Sequence, residues 1–293
     1  MSRIAILTPA PNDPSYGGRW RAVFDRLAPS LRDAGLEPVP TAWTEHERDA
    51  AGLAGFDLVL PLIVWGYHRD HPRWLAACET WRAAGVPVAN PAGVLIWNSD
   101  KRYLGRLAEA GAPIVPTVYA EAVTQDHVEA AFADFGAEAL IVKPAVSGGA
   151  YRTTRLRRGE TLTETPHGTA MIQPYLTGLE TEGELSLLFF GGRFSHAIRK
   201  VPAAGDFRSQ PDFGGHVTAI TPPDDALAVA QQVLSIIGED LLCARIDLVP
   251  GPDGSPVLIE AELIEPDFYL GFDPERGAGF ARAIRDRLRA SPD

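Results

Sequence analysis

The chain has 293 residues, 45% hydrophobic and 22% charged, which is enough apolar material for more than one compact unit. Its 27 Lys and Arg against 38 Asp and Glu leave a formal charge of −11, which argues against a general nucleic-acid binder, because counterion release requires clustered cations. Two cysteines, Cys78 and Cys243, make no disulfide framework, the apolar run at Met1–Leu7 is too short for a signal peptide, and no stretch of about 18 apolar residues offers a membrane span, so a cytoplasmic protein with no membrane partner is expected.

Residues 3–8 read as a buried strand running into the turn-rich stretch Thr8–Gly18. Trp20, Val23, Phe24, Leu27 and Leu31 at helical spacing predict a helix over 20–34, with Gly35 as its C-cap. Phe56–Val64 is a near-continuous apolar run, as in a strand covered on both faces, and a helix over 72–84 stops at Gly85. This alternation predicts a parallel α/β layer, with ligands bound beyond the carboxyl ends of its strands, at the loops Pro9–Arg19 and Trp65–Arg69. A domain boundary is expected near Asn90–Gly93. Ser99-Asp100-Lys101 opens a helix to about Ala110; strands follow at 114–118, 139–143 and 169–173, with a helix at 126–134. From about 182 the pattern is β-rich, and helices at 225–237 and 278–289 flank a hairpin at 243–263.

That hairpin is acidic. With Asp253-Gly254 as its turn, Asp247 lies opposite Glu260 and Arg245 opposite Glu262. Period-two alternation then puts Asp247, Glu260 and Glu262 on one face and Ile246, Leu248, Ile259 and Ala261 on the other. Three carboxylates so placed suit a hard cation with oxygen ligands, or else form a solvated face partly neutralised by Arg245.

Upstream, Lys143 ends an apolar strand and leads into Ser147-Gly148-Gly149, a loop whose backbone N–H groups can approach phosphate oxygens. It fits neither the P-loop nor the dinucleotide-binding pattern, and a strand-end lysine before a tight turn remains the plainer reading. Met171-Ile172-Gln173-Pro174-Tyr175-Leu176 is a strand broken by proline, which leaves backbone groups for a base edge or simply exits the sheet. The stretch 199–208, closed by Gly214-Gly215-His216, is the densest basic cluster, suited to polyphosphate or to solvent.

The order of these elements, Lys101, Lys143 with Ser147–Gly149, Gln173-Pro174-Tyr175, Glu184, Lys200 with Gly205–Arg208, Asp247, then Glu260 and Glu262, resembles the ATP-grasp superfamily. It looks most like the branch holding glutathione synthetase, the ribosomal-protein glutamate ligase and D-cycloserine ligase. Leu60–His68 and Glu262–Pro266 incline toward the last of these. The resemblance covers roughly residues 97–265 in motif detail. It implies an α/β (α+β ATP-grasp) fold: a parallel α/β layer over 1–95, a central and lid subdomain over 96–170, and a catalytic subdomain over 171–293, the last two clasping ATP.

The resemblance also implies roles. Lys101 and Lys143 contact ATP phosphates, and Ser147, Gly148 and Gly149 form a small lid. Gln173, Tyr175 and Leu176 hold adenine largely through backbone groups, and Glu184 the ribose. Lys200 reaches the γ-phosphate and Arg208 the transferred phosphate. Asp247, Glu260 and Glu262 ligate two Mg2+ ions, with Mn2+ able to substitute. Two departures stand out: many relatives have Asn where Glu262 stands, and often Arg where Ser186 stands.

The reaction so implied is carboxylate–amine ligation through an acyl-phosphate, on a small amino-acid-like substrate. Substrate candidates are Arg19, Tyr67, His68, His216 and Glu265, the two histidines as proton acceptors. The partners are then small carboxylates and amines, with a homo-oligomer left open. Two alternatives are a silent nucleotide-binding sensor or scaffold, which leaves the metal carboxylates without a purpose, and a metallohydrolase, which leaves Lys143 and the basic loop unexplained.

Overall fold

The computed structural model describes residues 1–13 and 18–290, so residues 14–17 of the expected ligand loop Pro9–Arg19 lie outside the described residues. The first layer comprises β1 (Ser2–Thr8), α1 (Trp20–Asp33), β2 (Leu36–Ala42), β3 (Leu58–Leu60) and α2 (His71–Ala83). Its strands pair in parallel in the order β2-β1-β3. Alternation along β1 sends Ile4 and Ile6 into a core with Phe24, Leu27 and Leu31 of α1, and Ala5 and Leu7 into a second core with Trp74, Cys78 and Trp81 of α2. Both faces are covered, as a parallel sheet requires.

Sequence patterning passes over β2 because Pro38 and Pro40 break it; the sheet tolerates them because β2 is an edge strand. The strand expected over 56–64 contracts to β3. Pro61 cannot extend the ladder, and Leu62, Ile63 and Val64 are buried in a loop tied down by Ile63 N–H to Leu7 O, 3.1 Å.

Two short helices follow, α3 (Ala92–Asn98) and α4 (Tyr103–Glu109). The first shows no helical period, being apolar almost throughout, and the second begins at Tyr103 rather than Ser99. The second sheet consists of β4 (Val118–Ala120), β5 (Ala139–Pro144), β6 (Thr154–Arg157) and β7 (Ala170–Pro174), antiparallel in the order β4-β7-β5-β6. Helix α5 (Gln125–Phe135), capped by Thr124, packs against it through Val128, Ala131 and Phe132. The strand expected at 114–118 is instead an isolated bridge from Ile114 to Leu258. The sheet runs to Pro174, past the break expected between 170 and 171.

The third unit holds α6 (Gly178–Thr181), β8 (Glu184–Phe190), β9 (Arg193–Val201), β10 (His216–Ile220), α7 (Asp224–Ile237), β11 (Cys243–Pro250), β12 (Pro256–Glu262) and α8 (Ala278–Ala290). Its five strands are antiparallel in the order β10-β9-β8-β11-β12. Helix α8 returns to the first layer, where Phe280, Ala281 and Ile284 join the core of Ile4, Ile6 and α1. Each such fully buried large side chain contributes about 1.5–3 kcal/mol. Among the described residues no helix is long and apolar enough to cross a membrane.

Candidate active site

The acidic hairpin sets the geometry. Asp247 pairs with Glu260 and Arg245 with Glu262, but nearer the turn Leu248 pairs with Leu258 and Val249 with Val257. A bulge lies between the two registers. The turn centres on Asp253, with Gly251 N–H donating to Ser255 O at 2.7 Å and Gly254 N–H to Gly251 O at 3.0 Å. The register expected from a two-residue Asp253-Gly254 turn is therefore off by one beside the turn, and the bulge at Ile259 restores it where the carboxylates stand. The bulge also corrects the face of one residue. Leu258, not Ile259, joins Ile246, Leu248 and Ala261 in the core, while Ile259 lies with Tyr175, Leu176, Val249 and Val257 on the cleft side.

β12 is an edge strand, and side chains from earlier in the chain occupy its free edge. Tyr103 Oη accepts from Ala261 N–H at 2.8 Å and donates to Ala261 O at 3.1 Å. Asn98 Nδ2 also donates to Ala261 O, and its Oδ1 accepts from Leu263 N–H. Asn90 Nδ2 donates to Cys243 O and Leu263 O, both at 2.8 Å. The backbone between Glu260 and Glu262 is thereby fixed on both sides. None of Asn90, Asn98 and Tyr103 carries a sequence signal for this role.

Within the cleft every carboxylate of the hairpin has a cation. Arg245 donates to both oxygens of Asp247 through Nε and Nη2, and to Glu262 through Nη2. Lys200 Nζ lies 2.5 Å from Glu184 Oε1 and 3.6 Å from Asp247 Oδ2. Lys101 Nζ lies 3.1 Å from Glu260 Oε1 and donates to Ser147 O at 2.8 Å. Ser186 donates to Asp247 Oδ1 at 2.6 Å.

Burial opposes ionisation of Asp247, but Arg245 and Lys200 outweigh it and hold the carboxyl well below its usual range. Glu260 is likewise lowered against its burial, by Lys101 and Lys143. Glu262 is raised by burial and by the charges of Glu260 and Asp247, against Arg245. Among the described residues no three acidic, His or Cys side chains are gathered at metal-binding distance. The resident cations explain this, since each holds a carboxylate that would otherwise converge with its neighbours. The donor set still fits a hard cation, with three carboxylates on one face beside lysines that a polyphosphate can draw away.

Lys143 differs from the other cleft cations. Burial lowers its pKa to about 8, and Glu260 offsets this only in part. The unfolded chain holds this proton up to about pH 10.4, so between about 8 and that value the unfolded state binds more protons. The free fold therefore gains stability as pH rises through that window and loses it as pH falls. Polyphosphate favours the ammonium. ADP binding without metal should then take up a proton at pH 9 but not at pH 7, and affinity should fall by up to about tenfold per pH unit above 8. Calorimetry in buffers of different ionisation enthalpy reads this uptake, and Lys143→Met should abolish it.

Glu184 is held on both oxygens, by Lys200 and by Ser209 Oγ at 2.5 Å. Its position depends on Gly183, whose φ is +83° and whose added Cβ would stand 2.6 Å from Lys200 O. Gly183→Ala should lower the urea midpoint by an amount equivalent to about 2 kcal/mol or more, the left-handed penalty plus that clash. It should also move Glu184 and Lys200 off their pairing.

On the nucleotide side, the Gln173 side chain donates to Thr117 Oγ1, and Tyr175 N–H is spent on Ala139 O. Arg155 lies 3.7 Å over the Tyr175 ring, and Glu180 accepts from both Arg155 and the Tyr175 hydroxyl. The apolar wall is made of Val115, Ile141, Leu176, Val257 and Ile259. Arg208 is turned back on Asp206, 2.7 Å away, with its guanidinium 3.8 Å over Phe213.

The first layer contributes Tyr67 and His68, from the turn after β3. Tyr67 is buried against Trp74, ring centroids 5.0 Å apart. His68 packs on the Gly148 loop, where an added Cβ would stand 3.2 Å from its Nδ1, and beside Tyr151. Burial, Arg69 and Lys101 lower its pKa to about 4, so it is a weak base, suited to neutral hydrogen bonding rather than proton removal. Arg19 reaches Asp212 of the 203–215 loop at 2.8 Å. His216 is exposed at the start of edge strand β10, and among the described residues it makes no hydrogen bond to the cleft. Ile259 and Arg245 are cleft residues that sequence reasoning did not single out as such. The first was hidden by the bulge, and the second was legible only as a neutralising charge.

Three sheets with a cation-lined acidic hairpin at their junction are the architecture of an ATP-grasp ligase. The profile of the D-cycloserine synthetase DcsG N-terminal domain matches residues 4–90. The cycloserine biosynthesis protein DcsG of Streptomyces lavendulae is 33% identical over 290 residues, covering 90% of this chain and 93% of that protein. The crystal structure of D-cycloserine synthetase DcsG superposes with a TM-score of 0.80 at 28% identity, covering 98% of this chain and all of that one. D-alanine–D-alanine ligase from Bacillus anthracis shares the fold, with a TM-score of 0.70 at 14% identity, covering 99% of this chain and 100% of that one. The chain belongs to the DcsG family of ATP-grasp ligases. It is an ATP-dependent ligase that forms carbon–nitrogen bonds on small amino-acid-like substrates, and ATP and Mg2+ are cofactors of its family.

Proposed function

We propose that the substrate carboxylate attacks the γ-phosphorus of ATP to give an acyl-phosphate and ADP, and that an amine then attacks the acyl carbon and expels phosphate. The observation supporting this reading is that Lys101, Lys200 and Arg245 each contact a carboxylate on one hairpin face, with Lys143 buried beside them. Phosphoryl transfer is largely positioning and charge neutralisation, and these groups supply both.

In this reading Lys101 and Lys143 hold ATP phosphates under Ser147, Gly148 and Gly149. Gln173, Tyr175 and Leu176 border adenine, and Ile259 supplies an apolar wall. Glu184 exchanges Lys200 for the ribose, which releases that ammonium toward the γ-phosphate. Arg208 leaves Asp206 to meet the transferred phosphate as the 203–215 loop closes, and Arg245 faces the acyl-phosphate. Asp247, Glu260 and Glu262 would hold two Mg2+ ions, with Mn2+ substituting, and these would neutralise charge on the polyphosphate. Tyr67, His68, Glu265 and Arg19 line the substrate end, and His216 stays outside it. The three units meet near residue 95 and just after Pro174, where β7 ends.

Hydroxylamine tests the intermediate, because it captures an acyl-phosphate as a hydroxamate. With ATP and Mg2+, ADP and hydroxamate should appear in equal amounts, and only when an amino-acid carboxylate is present. Carboxylate-dependent ADP release without any hydroxamate would rule the intermediate out.

A further inference from the structure

We propose that Arg155 is a base-reading residue of the nucleotide cleft, its Nε–H donating to a ring nitrogen of the adenine. This rests on the nucleotide side of the reading above and adds to it a directed contact that only the base can complete.

Position comes first. Ile141 of β5 pairs with Arg155 of β6 on one side and with Gln173 of β7 on the other. Directly paired residues share a face, so the three form one row across the second sheet. Ile141 belongs to the apolar wall with Tyr175 and Ile259, so the row faces the cleft. Lys143 lies two residues further along β5 on the same face, about 7 Å away at strand spacing. With phosphates held at Lys143, the row stands at the distance of the base.

The guanidinium is held in one orientation. Its Cζ lies 3.7 Å from the centroid of the Tyr175 ring, and Nη1 donates to Glu180 Oε1 at 2.9 Å. Glu180 in turn accepts from the Tyr175 hydroxyl at 2.7 Å, which fixes the ring against the cation. A stacked and hydrogen-bonded planar fork has little freedom left. Nε is nevertheless shut off from solvent and has no hydrogen-bond partner among the described residues. Other donors of this wall are spent within the protein: Gln173 Nε2 on Thr117 Oγ1 and Tyr175 N–H on Ala139 O, both at 2.9 Å. A shielded donor left unpaired is costly, so its acceptor belongs to a ligand.

Charge selects the kind of acceptor. Glu180 already neutralises Arg155, and its carboxylate repels a phosphate approaching the same guanidinium. A purine ring nitrogen is a neutral acceptor in the plane of a flat ring. The apolar wall of Ile141, Leu176 and Ile259 suits the faces of such a ring. Arg155 thus serves the base, while Lys101 and Lys143 serve the phosphates.

The test is titration calorimetry with Mg2+, comparing ADP with its 1-deaza, 3-deaza and 7-deaza analogues, each of which replaces one ring nitrogen by C–H. One analogue should bind the wild-type protein about 10- to 100-fold more weakly than ADP, the range for a hydrogen bond from a charged donor. Arg155→Lys keeps a charge beside Glu180 and removes Nε, and Arg155→Met removes both. Each variant should bind that analogue and ADP alike, while inorganic tripolyphosphate binds all three proteins equally. A role in packing alone would not move the analogue series. Equal binding of ADP and all three analogues by the wild type overturns the proposal without recourse to a variant. So does a penalty that persists in full in both variants, which would assign that ring nitrogen to another donor. The hydroxylamine assay keeps this distinct from the acyl-phosphate. Analogue discrimination without hydroxamate removes the intermediate and leaves the base contact, whereas hydroxamate with four equal affinities removes the base contact alone.

Discussion

Glu260→Gln should lower substrate-dependent ADP release by about 10³-fold or more, equivalent to ~4 kcal/mol of transition-state stabilisation, while the protein remains folded. The amide keeps the shape of the side chain and removes only its charge. Glu260 faces Lys101 at 3.1 Å, and Lys101 and Lys143 together hold it ionised against its burial. Without that charge the two lysines lose their organising partner, and the proposed metal site loses a ligand. Lys101 keeps its bond to Ser147 O, so the loop over the phosphates stays in place. Asp247→Asn should match the activity loss and also lower the melting temperature, because Arg245 and Lys200 both rest on Asp247. A coupled ADP assay alongside a thermal melt checks both. Turnover near the wild-type rate in either variant would remove the hairpin from the chemistry.

Arg245→Met should destabilise the metal-free protein by about 3–5 kcal/mol, the cost of stripping one partner from a buried ion pair. Arg245 bridges Asp247 and Glu262, so its loss leaves two carboxylates facing each other with only Lys200 nearby. Saturating Mg2+ should recover more stability in the variant than in the wild type, because the metal supplies charge at the place the guanidinium vacated. Arg245→Lys should recover little, since an ammonium cannot reproduce the planar fork that spans both carboxylates. Urea unfolding with and without Mg2+ separates these outcomes. Equal Mg2+ responses in variant and wild type would show that Arg245 and the metal do not share those carboxylates.

Much of this cleft is legible in the sequence. Period-two alternation places Glu260 and Glu262 on one face, where the bulge brings Asp247 to join them, and the strand-end position of Lys143 follows from the apolar run before it. What escapes is whatever depends on distant partners. The bulge at Ile259 answers to packing against Tyr175 and Leu176, which lie far back in the chain. Strand β2 is concealed by prolines that only an edge position tolerates. The grip of Asn90, Asn98 and Tyr103 on β12 uses ordinary polar residues at no telling spacing. Arg208 belongs to the basic cluster as expected, yet its carboxylate Asp206, two residues before it, takes the charge inward.

The return of α8 to the first layer bears on how the chain is made. The core around Ile4, Ile6 and α1 also contains Leu188, Leu242, Phe268, Phe280 and Ile284. The layer of β1 and α1, made before α8, therefore cannot close over its own apolar face until Ala278–Ala290 has been synthesised. Contacts of such long sequence separation form slowly, and the waiting surface of β1 and α1 is a natural target for chaperones during translation. A recombinant fragment ending before α8 should inherit that exposed face and fail to stay dispersed, however well its nucleotide cleft is preserved.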